Sequence, residues 1–439
     1  MTIHLPDNHT RDEVLAARPT LWVNPLYEPN AIDDVSLPIR PEQVDEAQAN
    51  WRRLAPLLET CFPELRASGG AIRSDLVELR ELRDALGYGA AEFGQVFVKA
   101  DSDLPVAGSI KARGGVYEVF VFAEQLARNE GLLNDGDDIR RLAEPDMKAF
   151  FSRYTIAVGS TGNLGLSVGI AARALGFNAT VHMSSDAKSW KVDRLTKLGV
   201  EVVQHEADYT IAVETARLVA ESDPTIYFVD DEQSRHLFLG YSVAAFELAE
   251  QLSARDIVVD AEHPLFLYLP CGIGGAPGGV TYGAKKVFGD HVHCFFVEPV
   301  QSPCALVHLM SGSRELVSVY DVGLTNKTEA DGMAVARMSA FVATVMRHML
   351  AGVFTVADDD LLRWLLLAHQ TQGIRLEPSA TAGFAGPAFL VKHPEGRAFC
   401  EHHQIQNVLT QATHIVWTTG GSFVPQEQFD AFLKQAAAV

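Results

Sequence analysis

From Tyr154 onward, short apolar runs alternate with segments whose apolar residues recur at helical spacing. Tyr154 to Val158 is a strand, and Leu164 to Ala174 a helix ended by Gly176. The pattern repeats with strand Ala179–Met183, helix Ala187–Leu198 ended by Gly199, strand Val200–Gln204, helix Asp208–Ala220 and strand Ile226–Val229. Strands alternating with helices of about 10 to 15 residues indicate βαβ units and a parallel sheet. After Gly240 come helix Ser242–Leu252, strand Leu265–Leu269, a glycine-rich turn leading into a helix, and strand Val292–Val297. Val335–Met349 and Asp358–Gln372 read as helices, His414–Trp417 as a late strand, and Pro425–Ala438 as a closing helix.

Upstream the pattern is less regular. The segment to Pro41, rich in Pro, Asn and Asp, reads as extended or looping. Pro41–Phe62 is helical in spacing, and Ser74–Leu86 is a second helix candidate with Leu76, Leu79, Leu82 and Leu86 on one side. Val96–Lys99 is a short strand, Val116–Arg128 a helix, and Asn129–Met147 a polar surface excursion. The whole is expected to be α/β, with two open parallel-sheet domains.

Composition narrows the function. The 439 residues leave room for two or three domains. A net charge of −20 argues against nucleic-acid or anionic-membrane partners. It leaves a small anionic ligand open, because backbone N–H groups can hold one locally. The start of the chain shows no basic segment followed by an apolar core, and no apolar stretch reaches a membrane span. Five widely spaced cysteines without a CxxC pair suit reduced thiols in a cytoplasmic protein.

Four stretches carry candidate chemistry. Gly108-Ser109-Ile110-Lys111-Ala112-Arg113-Gly114-Gly115 sets one lysine among small residues. It reads either as a helix opening capped by Ser109 or as a lysine held to form a Schiff base with an aldehyde cofactor. Ser160-Thr161-Gly162-Asn163-Leu164-Gly165 ends the first regular strand, where hydroxyls and helix amides can hold a carboxylate. Cys271-Gly272-Ile273-Gly274-Gly275-Ala276-Pro277-Gly278-Gly279 can wrap its amides around a phosphate. With Glu298 at the end of the next strand, it also admits a nicotinamide-binding reading, although Pro277 stands where a third glycine belongs. Thr418-Thr419-Gly420-Gly421-Ser422 presents a hydroxyl at a late strand end. His291, His293 and Cys294 alternate on a strand without a second pair at zinc spacing, which favours a structural role.

In this order the four motifs resemble the tryptophan-synthase-β family of pyridoxal-phosphate enzymes, and within it the bacterial D-serine dehydratase group. The likeness runs from about Trp22 to the C-terminal helix. It includes Leu104–Gly115, Ala157–Ser167, Asp230-Asp231-Glu232, Ala330-Asp331-Gly332 and Arg375–Ala380. Ala276 departs from the glycine expected there. The resemblance implies the type II fold, with pyridoxal 5'-phosphate in the cleft between two domains. Residues 1–115 and 240–439 would form the large cofactor-binding domain, and 116–239 the small domain with the Ser/Asn loop.

It implies further that Lys111 carries the cofactor and that Gly272, Ile273, Gly274, Gly275 and Ala276 bind its phosphate. Asn163 would lie beside its ring hydroxyl and Thr419 would face its ring nitrogen. Ser160, Thr161 and Gly162 would hold the substrate. The implied reaction is loss of water from D-serine, and also D-threonine, giving an α-keto acid and ammonia. Thr161, Asp231 or Lys111 itself could remove the Cα proton, and Asp231 could equally be a surface or capping carboxylate. L-threonine/L-serine dehydratase and serine racemase share the fold and stay as alternatives. Glu298 could join a K+ or Na+ site or serve structure. A monomer without nucleic-acid or membrane partners is expected.

Overall fold

The protein is described from a computed structural model covering residues 5–160, 162–185, 187–205 and 209–439. Its strands are β1 (Leu21–Val23), β2 (Leu76–Glu78), β3 (Gln95–Ala100), β4 (Thr155–Gly159), β5 (Asn178–Ser184), β6 (Glu201–His205), β7 (Ile226–Val229), β8 (Leu265–Pro270), β9 (Val292–Pro299), β10 (Gly352–Val356) and β11 (Thr413–Thr418). They form two sheets in two packing units.

The larger unit comprises residues 1–41, 74–103 and 242–439. Its sheet runs β1-β10-β9-β8-β11-β3-β2. The five inner strands are parallel, and β8, β9 and β11 are buried along their whole length, as strands covered on both faces must be. The expected parallel sheet is bordered at both edges by a short antiparallel strand. β1 pairs antiparallel with β10, and β2 antiparallel with β3.

Neither edge was legible from periodicity. β1 spans only three residues inside the Pro/Asn/Asp-rich segment. Ser74–Leu86 splits into β2 and a helix, Arg80–Ala85, because Leu76 and Val77 take partners on β3 (Lys99 and Val98). The leucine spacing suited either outcome, and sheet pairing decided it. The expected helix Val335–Met349 contracts to Ala340–Met346, with β10 following it unforeseen. Helices Cys304–Ser311, Gly386–Lys392 and Pro394–His402 were likewise unforeseen.

The smaller unit comprises residues 42–73 and 104–241, with an all-parallel sheet β6-β5-β4-β7. Helix Asn163–Leu175 follows β4 and ends on Gly176, whose φ of +95° is the left-handed turn that glycine supplies. This division differs from the expected boundaries. Glu42–Arg73 and Leu104–Gly115 pack with the smaller unit, so Lys111 shares a unit with Asn163. Part of the reason lies in helix Glu42–Cys61. Its Arg53 pairs with Glu124, and its Asn50 Nδ2 donates to the Tyr117 hydroxyl at 3.0 Å. The supposed surface excursion is partly core, since Ile139, Leu142 and Met147 are buried.

Among the described residues no helix is long and apolar enough to cross a membrane. All five cysteines are free thiols.

Candidate active site

Lys111 stands at the N-terminus of a π-helical turn, Ala112–Val116, that runs directly into the α-helix Tyr117–Asn129. Such turns recur at functional sites because they re-aim side chains. Two glycines make this one possible. A Cβ on Gly114 would lie 2.3 Å from Tyr241 Cζ, and one on Gly115 would lie 2.6 Å from Ser167 Oγ. Ser167 donates to the Lys111 carbonyl at 2.8 Å, pinning the lysine backbone to helix Asn163–Leu175. Ser109 does not cap a helix here, because its Oγ is buried without a partner.

The Lys111 amine lies 3.7 Å from Asp231 Oδ2 and 5.7 Å from the centre of the Tyr241 ring. Asp231 belongs to a run of three acids whose outer two members share one partner. Arg217 holds Asp230 at 2.9 and 3.1 Å and Glu232 at 3.0 Å. Asp231 is the one that faces the lysine, and the surface-carboxylate reading fails for it. Its side chain is only 16% exposed.

Behind it lies Glu118, which sequence reasoning missed. It is 1% exposed and accepts hydrogen bonds from the Tyr227 hydroxyl at 2.9 Å and the Ser234 hydroxyl at 2.6 Å. Burial, only partly offset by these donors, pushes its carboxyl up to about 7, and Asp230 and Asp231 push the same way. The available signal was a carboxylate inside the apolar run Val116–Ala123, a place where unpaired charge is costly.

In the loop after β4, Ser160 is buried and its Oγ accepts the Gly162 amide at 3.2 Å. Gly162 is the N-cap of the helix that Asn163 opens, and no side chain caps it. Thr161 lies outside the described residues.

The remaining expected site residues belong to the larger unit. Gly274, at φ +106°, is the N-cap of helix Gly275–Phe288, a conformation that suits glycine. The Ile273 carbonyl takes the Ser339 amide at 2.9 Å. The amides of Gly272, Ile273 and Gly274 bond to no protein acceptor among the described residues. A Cβ on Gly272 would come within 3.2 Å of the Gly332 carbonyl, and the Gly332 amide bonds Ser379 Oγ at 3.1 Å. The two downstream stretches picked out in sequence therefore back the glycine turn. Ala276 is buried in the first turn of the helix, where its methyl is accommodated. At the end of β11 the Thr418 hydroxyl lies 2.9 Å from Ser102 Oγ, and Thr419 beside it is half-buried.

Glu298 ends β9 with its oxygens on the Ala305 and Leu306 amides at 2.7 and 2.9 Å, capping helix Cys304–Ser311. Burial still pushes this carboxyl up to about 8. A carboxyl whose pKa rises on folding binds a proton that the unfolded chain releases. Its contribution to stability therefore falls as pH rises from about 4.5 to about 8. His293, His414 and the other histidines whose pKa values burial lowers act the other way, because in the unfolded chain they are still half protonated at about pH 6.5. Denaturant unfolding of the apoprotein is expected to show the wild type losing more than about 1 kcal/mol of stability relative to Glu298→Gln between pH 6.5 and 8. His293 itself is structural, with Nδ1 on the Tyr27 hydroxyl at 2.9 Å. Among the described residues no cluster of three or more His, Cys, Asp or Glu is placed to hold a metal.

The geometry fits a phosphate-bearing aldehyde cofactor on two observations. Ser109 Oγ, Asp231 Oδ1 and Tyr241 OH are buried without partners, in the neighbourhood of Lys111. Orphaned buried polar atoms are rare and mark places that serve something other than stability. In the larger unit, a glycine turn with free amides opens a helix, which is a ready anion cradle.

Comparison with known proteins agrees. The family model for pyridoxal-phosphate dependent enzymes matches residues 68–398. A probable D-serine dehydratase of Sinorhizobium medicae is 76% identical over 438 residues, covering 100% of this chain and 99% of its own. One from Acidovorax sp. is 52% identical, covering 99% and 98%. Among solved structures, diaminopropionate ammonia lyase from Escherichia coli in complex with D-serine superposes with a TM-score of 0.71 at 19% identity. The match covers 95% of this chain and 97% of the lyase, a likeness of fold.

Proposed function

The chain belongs to the pyridoxal-phosphate dependent enzymes, and on that footing we propose that it removes water from D-serine to leave an enamine, which takes up water to give pyruvate and ammonia, and acts likewise on D-threonine. The observation that carries this reading is a buried-edge lysine paired with a single free carboxylate, amid polar atoms that no protein group satisfies. Full-length relatives named for the same reaction support it.

When bound, the cofactor supplies an electron sink that makes a Cα proton removable and lets a β-hydroxyl depart. Lys111 would hold it through its ε-amine, and the amides of Gly272, Ile273, Gly274, Gly275 and Ala276 would bind its phosphate without a positive side chain. Asn163 would hydrogen-bond its ring hydroxyl. Thr419 would face its ring nitrogen, where a hydroxyl, unlike a carboxylate, does not hold a proton firmly. Ser160, Thr161 and Gly162 would bind the substrate carboxylate. Asp231 can exchange a proton with the Lys111 amine and offers Oδ1 as a free acceptor. It is our first choice of base, with Thr161 and Lys111 as rivals. A K+ or Na+ ion at Glu298 would have to use the lone pairs that two amides leave. We place the enzyme in the cytoplasm as a monomer.

Coupled pyruvate assays with the two serine enantiomers test the proposal. Turnover of D-serine far faster than L-serine is expected. The reverse preference would make this an L-specific dehydratase, and interconversion of the enantiomers without pyruvate would make it a racemase.

A further inference from the structure

We propose that Glu118 is a positioning residue that clamps the acid turn carrying Asp231 against the Lys111 amine. The inference rests on the roles given above to Lys111 and Asp231.

Glu118 is the second residue of the helix that grows out of the lysine turn, so it moves with Lys111. Its two oxygens take separate partners, the Tyr227 hydroxyl on Oε1 at 2.9 Å and the Ser234 hydroxyl on Oε2 at 2.6 Å. Tyr227 lies in β7, just before Asp230–Glu232, and Ser234 comes just after. One buried carboxylate therefore holds both flanks of the turn. Ser234 Oγ also accepts the Leu237 amide at 3.1 Å, and the Asp230 carbonyl takes the Gln233 and Ser234 amides at 3.2 and 2.9 Å. Arg217 fixes Asp230 and Glu232 by a second route. Between these anchors Asp231 is left 3.7 Å from the amine.

Only a carboxylate can accept both hydroxyls through separate oxygens, since an amide offers a single acceptor. The titratable groups facing Glu118 are Tyr227, Tyr241, Asp230 and Asp231, with Lys111 beyond Asp231 and Arg217 beyond Asp230. Protonation of Glu118 near neutrality turns one acceptor into a donor and loosens one arm of the clamp.

The test uses holoenzyme carrying Glu118→Gln and, separately, Tyr227→Phe with Ser234→Ala. In Glu118→Gln, kcat with D-serine should fall about tenfold to a hundredfold with KM changed far less, as expected when a reacting group is misplaced. The acid limb of kcat near neutrality, present in the wild type, should vanish. A step near neutrality in the visible absorbance of the resting wild-type enzyme should vanish with it. The double variant keeps the carboxyl but loses its donors, so its limb should remain and move to higher pH. A wild-type kcat and pH profile in Glu118→Gln would overturn the inference. So would lost activity with an unmoved profile and poor cofactor retention, the mark of a merely structural residue. If the wild type fails to turn over D-serine, the proposed function fails, while the absorbance titration still decides the clamp.

Discussion

Lys111→Ala is expected to lose pyruvate formation from D-serine by at least about a thousandfold, as when a covalent catalytic group is deleted. The fold should survive. The Lys111 side chain is 21% exposed, and the bond that fixes the turn runs from Ser167 to its backbone carbonyl, which alanine keeps. Asp231 loses its cation, but it is not fully buried and its neighbours remain tied to Arg217. The measurements are circular dichroism, pyruvate release and the visible absorbance of the protein loaded with cofactor. Borohydride reduction of the wild type, followed by peptide mapping, should place the label on Lys111. Substantial activity in the alanine variant would sink the assignment of the lysine and with it the proposed chemistry.

Gly274→Val should weaken cofactor binding by about tenfold to a hundredfold, the loss of one or two amide–phosphate bonds. At φ +106° a β-branched residue is strained, and the new Cβ would stand 3.0 Å from Val342 Cγ1. The loop must shift, and the free amides of Gly272 to Gly274 shift with it. Ala276→Gly serves as the control. The methyl is already accommodated in the first turn of the helix, so cofactor affinity should stay within about threefold, since truncation there removes no donor. Titration of apoprotein with cofactor, followed by absorbance, reads both. Unchanged affinity in Gly274→Val would remove the glycine turn from the phosphate site.

Several site features were readable along the chain because they are local. A glycine cap, an apolar run of strand length and a glycine turn opening a helix each depend on neighbours a few residues away, and Gly176, β7 and helix Asp358–Gln372 emerged as expected. The edge strands were not readable, because β1 and β2 are too short to show a period and gain their conformation from β10 and β3. Glu118 was passed over for a related reason. Its partners lie more than a hundred residues further along the chain, so nothing near it in sequence announces them.

The amino-acid order by itself determined the α/β class, the lysine, the glycine turns and the acid triplet, since each follows from spacing and side-chain chemistry. The tertiary structure decided which acid of the triplet meets the amine. It also decided that residues 42–73 and 104–115 belong to the packing unit that carries the Ser/Asn loop. Burial and pairing are set by residues distant in the chain. Two of three chemically similar carboxylates are claimed by Arg217, and the third is left to Lys111.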